Sequence, residues 1–296
     1  MATYLPRVVD SELVERLSYA GAVVIRGPKW CGKTATALQR AKSVAFMQDP
    51  DERANNMAMA EAKPSLLLRG EKPRLIDEWQ EAPQLWDAVR FAVDRSDEPG
   101  QFMLTGSATP TAQPQHTGTG RFSFLDMRTM SLFESGESTG EVSLGELFGQ
   151  GDPNDETHVE GHSEQDVENL SYLICRGGWP RAITIANENA ALKMSRDYLS
   201  AIAEEDISRV DGVSRNSQYA RLIMQAYARC SATQADMGTV RGNLKTRGSG
   251  LSRETVDSYV GALRRLYVIE DVSAWTPSLH ARSRITTTPV RFFTDP

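Results

Sequence analysis

From Leu13 to about Met130, short apolar runs alternate with longer stretches in which apolar residues return every three or four positions. The runs "AVVI", "SVAFM", "RLID", "QFMLTGS" and "FSFLDM" predict strands, and "KTATALQRA", "DERANNMAMAEA" and "PQLWDAVRFAVD" between them predict helices. Such alternation implies a parallel sheet covered on both faces, hence an α/β core. Farther along, "NLSYLICRGGWPRAITI" and "NAALKMSRDYLSAIAEEDISRV" predict a helical segment with "GGWP" as its turn. Near Arg221 a third pattern begins: "ARLIMQAYARC", "SATQADMGTVRGNL" and "SRETVDSYVGALRRL" predict three helices, the last with Ser252 as N-cap and Glu254 in its first turn. The strand "YVIEDVSAW" follows. Three helices and a β-hairpin describe a winged helix whose third helix is the recognition element. The last stretch, "RITTTPVRFFTDP", predicts a strand entering another domain. The expected divisions are a core over 1–135, an acidic flexible insertion over 136–168, a helical segment over 169–215, a winged helix over 216–280 and the start of a further domain over 281–296.

Composition adds a charge asymmetry. The chain has 296 residues, of which 40% are hydrophobic, enough for two domains with ordinary cores. No apolar run approaches the roughly 18 to 20 residues that cross a bilayer, and "MATYLPRVVDSELVERL" lacks the plan of a signal peptide, so a cytoplasmic location without membrane contact is expected. Cys31, Cys175 and Cys230 are too far apart for a C-x-x-C motif and read as reduced, structural thiols. The net charge is -6, yet positions 131–170 hold eleven acidic residues and no Lys or Arg, so the rest of the chain is net basic. The stretch "GQGDPNDETHVEGHSEQD" has too few apolar residues to fold alone and reads as a solvated loop, in preference to a metal site at His158 and His162. Between Arg221 and Glu270 eight Lys or Arg face four acids, with Lys245, Arg247, Arg253, Arg264 and Arg265 prominent, an excess that suits DNA phosphates or an acidic protein partner.

The candidate chemistry sits where the first strand ends. "GPKWCGKT", residues 27–34, is a glycine, four residues and then Gly-Lys-Thr, placed between an apolar strand and a helix. In that setting the backbone of Gly27, Pro28, Lys29, Trp30, Cys31 and Gly32 wraps phosphates, Lys33 reaches the β- and γ-phosphates and the Thr34 hydroxyl binds Mg²⁺. Cys31 reads as a loop filler. Asp77 and Glu78 in "RLIDEWQ" end a later strand: the first carboxylate can orient the metal and the second activate a water. Thr105 and Ser107, ending "QFMLTGS", are placed to sense the γ-phosphate or position the water, and Arg121 in "HTGTGR" to reach a phosphate of its own site or of a neighbouring subunit in a homo-oligomer.

Taken in order, "GPKWCGKTATA", "RLIDEWQEAPQLWDAVR", "FMLTGSATP", "HTGTGRF" and "MSLFESGES" resemble the AAA-superfamily P-loop ATPases of bacteria and archaea that carry a C-terminal domain of unknown function, number 4143; "RGGWPRA" and the approach to "RFFTDP" fit as well. The resemblance covers nearly the whole chain. It implies a P-loop NTPase core of AAA type, then a winged helix, then a restriction-nuclease-like domain, which would begin where this sequence ends. The implied activity is Mg²⁺-dependent ATP hydrolysis that moves the winged helix; a slow nucleotide-gated switch is the alternative. A small-molecule kinase would need a basic lid where this chain is acidic. A GTPase would need an N-K-x-D motif, which the sequence lacks, so ATP is the expected nucleotide.

Overall fold

Strand β1 (Ala22–Arg26) is buried along almost its whole length, and its side chains alternate between two cores. Ala22 and Val24 pack with Ile76, Leu104 and Val89 on one face, Val23 and Ile25 with Leu75, Met103 and Leu125 on the other. A strand buried on both sides has no polar face to show, which is why "AVVI" reads as a continuous apolar run. The computed structural model describes residues 4–107, 118–145, 160–246, 248, 250–273 and 287–295.

Around β1 lie β2 (Ser43–Phe46), β3 (Arg74–Asp77), β4 (Phe102–Gly106) and β5 (Phe122–Asp126), all parallel, in the order β2-β3-β4-β1-β5. Helices α3 (Arg53–Ala62) and α4 (Gln84–Ser96) cover the first face, α1 (Val9–Tyr19) and α2 (Lys33–Leu38) the second. Trp86 of α4 packs between Trp79 and Phe122, with tilted rings whose centroids are 5.0 and 4.2 Å away. The five strands and three helices agree with the hydrophobic pattern.

The C-terminal half is helical. Helices Val167–Arg176, Glu188–Ala201, Ser217–Ala228, Met237–Lys245 and Arg253–Arg265 each begin at a side-chain cap: Asp166, Asn187, Asn216, Asp236 and Ser252. Each cap satisfies N–H groups that the helix itself cannot, a contribution of about 1 kcal/mol. A short helix, Pro180–Ile183, follows the "GGWP" turn. Its Ala182, with Trp179 beside it, enters the second core of the sheet, which also holds Cys31. The last three long helices share a core of their own with Ile202, Ile207 and Ile269.

Val290–Phe293 (β7) pairs antiparallel with β6 (Ile269–Val272) and puts Phe293 edge-on to Tyr227 at 5.7 Å, where its ring packs against the three-helix core. The acidic stretch 136–168 is anchored at both ends: Glu137 Oε1 lies 2.6 Å from Arg176 Nη1, and Gln165 Nε2 donates to the Glu137 carbonyl at 3.1 Å. Its last residues, Val167 and Glu168, already belong to a helix, while His158 lies outside the described residues. Of the basic residues expected to face phosphates, Arg264 bonds to Asp271 at 2.5 Å and Arg265 to Asp211, since helix Arg253–Arg265 turns its C-terminal end toward those carboxylates; Arg247 lies outside the described residues.

Candidate functional site

The parallel sheet aligns its strand ends. Thr105 pairs in register with both Ile25 and Asp77, so β1, β3 and β4 finish level with one another and their following residues converge. In an open α/β sheet the crevice beyond the carboxyl ends of the strands is where ligands bind.

From the end of β1 the chain enters the loop Gly27–Thr34. Gly27 has φ 154°, and a Cβ there would fall 1.9 Å from the Met127 carbonyl oxygen; Gly32, at φ 103°, turns the chain into α2. Both positions require glycine. Lys33 is buried, and its Nζ donates to the carbonyls of Gly27 at 3.0 Å and Pro28 at 2.7 Å, which curls the loop around the ammonium. Cys31 is also buried; burial pushes its thiol above the ordinary value, which suits a loop filler and not a reactive thiolate.

Opposite Lys33 the carboxylates gather. Asp77 Oδ1 accepts from Thr34 Oγ1 at 2.6 Å and from Thr105 Oγ1 at 2.6 Å. Glu78 stands beside it with φ 55° and ψ 48°, a left-handed conformation that a non-glycine residue rarely adopts and that concentrates at functional sites. The Glu78 amide donates to Thr105 Oγ1 at 3.3 Å, and its Oε2 accepts from Ser107 Oγ at 2.9 Å and from the Gln80 amide. The loop Gly27–Thr34, Asp77, Glu78, Thr105 and Ser107 are therefore brought together as one candidate site.

Arg121 is not in it. The residue after it, Phe122, pairs with Ala22, the first residue of β1, while the phosphate loop follows Arg26, the last. A full strand, about 13 Å, separates them. Its guanidinium bonds Asp94 Oδ1 at 2.5 Å and the Thr119 carbonyl at 3.0 Å. These contacts hold Arg121 at the strand end opposite the phosphate loop of its own chain.

Several supporting residues escape a motif search. Arg7 is buried beneath the loop, with Nη1 on the Cys31 carbonyl at 2.7 Å, Nη2 on the Arg128 carbonyl at 2.8 Å and Nε on Glu134 Oε1 at 2.9 Å. Burial pushes the Glu134 carboxyl up, but the Ser131 and Val8 amides and the Arg7 guanidinium outweigh it and hold the group below its ordinary value. Glu134 falls within the quoted "MSLFESGES"; nothing in the sequence marks Arg7 as its partner, 127 positions away. Tyr4 braces the same region through Asp10 at 2.6 Å and Thr36 at 2.9 Å.

A magnesium ion is implied by a loop of this kind, and the residues present fit one. Thr34 and Asp77 offer hard oxygen donors already in contact, which matches an ion held by one or two protein groups and completed by phosphate oxygens. Among the described residues there is no cluster of three His, Cys, Asp or Glu side chains that would hold a metal alone.

Comparison with known proteins agrees with this geometry. Residues 20–135 match the AAA domain family, and residues 167–296 match the Domain of unknown function (DUF8612), not the number 4143 domain that the resemblance implies. Uncharacterised proteins of Mycobacterium tuberculosis and Mycobacterium bovis are each 25% identical over 279 residues, covering 94% of this chain and 55% of theirs. The chain thus spans about half the length of the curated relatives it matches. A Walker-type ATPase of Pyrococcus abyssi superposes with a TM-score of 0.54 at 13% identity, covering 90% of this chain and 91% of that one, a likeness of fold. Among the described residues no helix is long and apolar enough to cross a membrane. Residues 20–135 thus combine a match to the AAA domain family with the parallel sheet of an AAA-like P-loop fold.

Proposed function

We propose that the chain binds ATP with magnesium at Gly27–Thr34 and hydrolyses it, using the cycle to move the C-terminal helices. The observation that carries this reading is the contact of Thr34 with Asp77 at 2.6 Å, with Glu78 placed next to it and aimed by Ser107. Backbone amides of the loop cradle the phosphates, and Lys33 exchanges its two carbonyl partners for β- and γ-phosphate oxygens. Thr34 and Asp77 would hold the magnesium ion, which supplies charge neutralisation on those oxygens. Glu78 accepts a proton from the attacking water, and Ser107 keeps its carboxylate turned toward that task instead of acting on the phosphate directly.

The test is a fluorescent ATP analogue with the Lys33→Ala chain. Removing one buried charge-assisted contact costs about 2–3 kcal/mol, so affinity should fall roughly 30- to 150-fold in a folded protein. Undiminished affinity overturns the assignment.

A second reading, a nucleotide-gated DNA switch with little turnover, is favoured by a basic groove in the C-terminal half. The three helices and the β6–β7 ribbon have the parts of a winged helix, and Arg241, Lys245 and Arg253 surround the groove between its second and third helices, the two arginines each 3.5 Å from Asp257. If DNA lies there, its affinity should fall steeply with salt, and Arg253→Ala with Lys245→Ala should flatten the slope by about one unit each. Absence of binding to duplex and single strand at low salt would make this unit a protein-joining module. ATP turnover measured with and without DNA separates the two readings.

A further inference from the structure

Two residues of the phosphate loop that the motif leaves unspecified are both engaged by the C-terminal half. Lys29 Nζ lies 2.6 Å from Asp206 Oδ1, across 177 positions of sequence. The pair is asymmetric: the Lys29 side chain is 41% exposed and that of Asp206 only 11%. Beside it Trp30, at φ 62°, holds its ring centroid 6.0 Å from Tyr198, which in turn packs at a tilt on Trp179 at 4.0 Å.

Asp206 occupies an unusual place. Helix Glu188–Ala201 opens into a π-turn over Ile202–Asp206 before it resumes at Ile207–Arg209. Single π-turns inside helices are uncommon and recur at functional sites. Ile202, Ala203 and Ile207 are buried in the three-helix core together with Ile223, Met224 and Tyr227 of helix Ser217–Ala228. The carboxylate touching the phosphate loop is thus mounted on the same turn that packs against the C-terminal core.

Resting on the nucleotide-binding reading above, we propose that Lys29 and Asp206 form a nucleotide-sensitive latch. A polyphosphate in the loop competes with Asp206 for the Lys29 ammonium, and the more charged ligand wins. The Asp206 carboxylate, mostly buried, is then left without its cation, an unfavourable arrangement that the π-turn relieves by moving. Because the turn packs on helix Ser217–Ala228, that movement carries loop occupancy into the C-terminal unit.

Linkage makes the latch testable. If nucleotide opens it, then opening it by mutation must tighten nucleotide by the same factor. In the full chain, Asp206→Asn should bind a non-hydrolysable ATP analogue about five-fold more tightly or better. In a Lys29→Met background Asp206→Asn should have no further effect. Hydrogen exchange over 202–228 should quicken when the analogue binds the wild-type chain; in Asp206→Asn, which has no carboxylate to leave unpaired, the analogue should not change it. Should Asp206→Asn fail to fold, Lys29→Met alters only the more exposed partner and should quicken exchange over the same residues. Weaker or equal binding by Asp206→Asn, an effect that persists without Lys29, or normal exchange in Lys29→Met overturns the latch. Analogue binding to the wild-type chain without any change over 202–228 overturns the latch alone, whereas no binding at all overturns the nucleotide reading and the latch together.

Discussion

Glu78 shows how much a single residue's setting matters. Its left-handed backbone follows directly on Asp77, so two adjacent carboxylates leave the strand in different directions: one toward Thr34, the other toward Ser107. Extended backbone would place successive side chains on opposite faces of the sheet. The observed turn instead keeps both at its end. Replacing Glu78 by Gln preserves shape and the bond to Ser107 but removes the basic charge. Turnover should therefore fall roughly 10²- to 10⁴-fold while ATP-analogue binding stays within a factor of a few. Parallel measurement of both quantities checks this, and an equal loss of both would assign the base elsewhere.

At the scale of elements, the C-terminal helices are stapled by one buried charge network. Asp211 receives Arg215 through two bonds, at 2.6 and 2.8 Å, and is also bonded by Arg265 of helix Arg253–Arg265. The Asp211 and Arg215 side chains are 9% and 2% exposed. Hydrogen bonding from Arg215 is the first cause that holds the Asp211 carboxyl down at about 2, from 3.8. A depressed carboxyl contributes stability that is complete above its unfolded value and lost as pH falls through the folded one. Unfolding free energy should thus lose this contribution between about pH 4 and pH 2. Asp211→Asn should cost about 3 kcal/mol at neutral pH, by leaving two guanidinium groups under-partnered, and should lack that part of the acid loss. Denaturant titrations of both proteins at several pH values provide the measurement.

For the whole molecule, the sheet order decides what one chain can do alone. Arg121 precedes β5 and is held by Asp94 at the strand end opposite its own phosphate loop, which makes a neighbour's phosphate the contact to test. Should it act in that way, mixing Arg121→Ala with Lys33→Ala protein restores part of the ATPase activity, because a mixed interface keeps one intact loop and one intact arginine. Absence of complementation, with a monomer seen by light scattering at every concentration, removes Arg121 from the mechanism.

Local signals carried much of this. Apolar runs between turn residues marked all five strands, because strands buried on both faces must be apolar throughout. The phosphate loop and the Asp77-Glu78 pair were legible because their chemistry depends on residue types at short spacing. What the sequence could not reveal were partners joined only by folding: Arg7 with Glu134, Lys29 with Asp206, Ser107 with Glu78, and β7 with β6. Nor could it show at which end of the sheet Arg121 lies or that Arg264 and Arg265 pair with Asp271 and Asp211. Short-range patterns report the period and caps of an element, since these depend on neighbours within a turn or two. Which side chains meet across the sheet or between the halves depends on strand order and packing, and only the tertiary structure decides that.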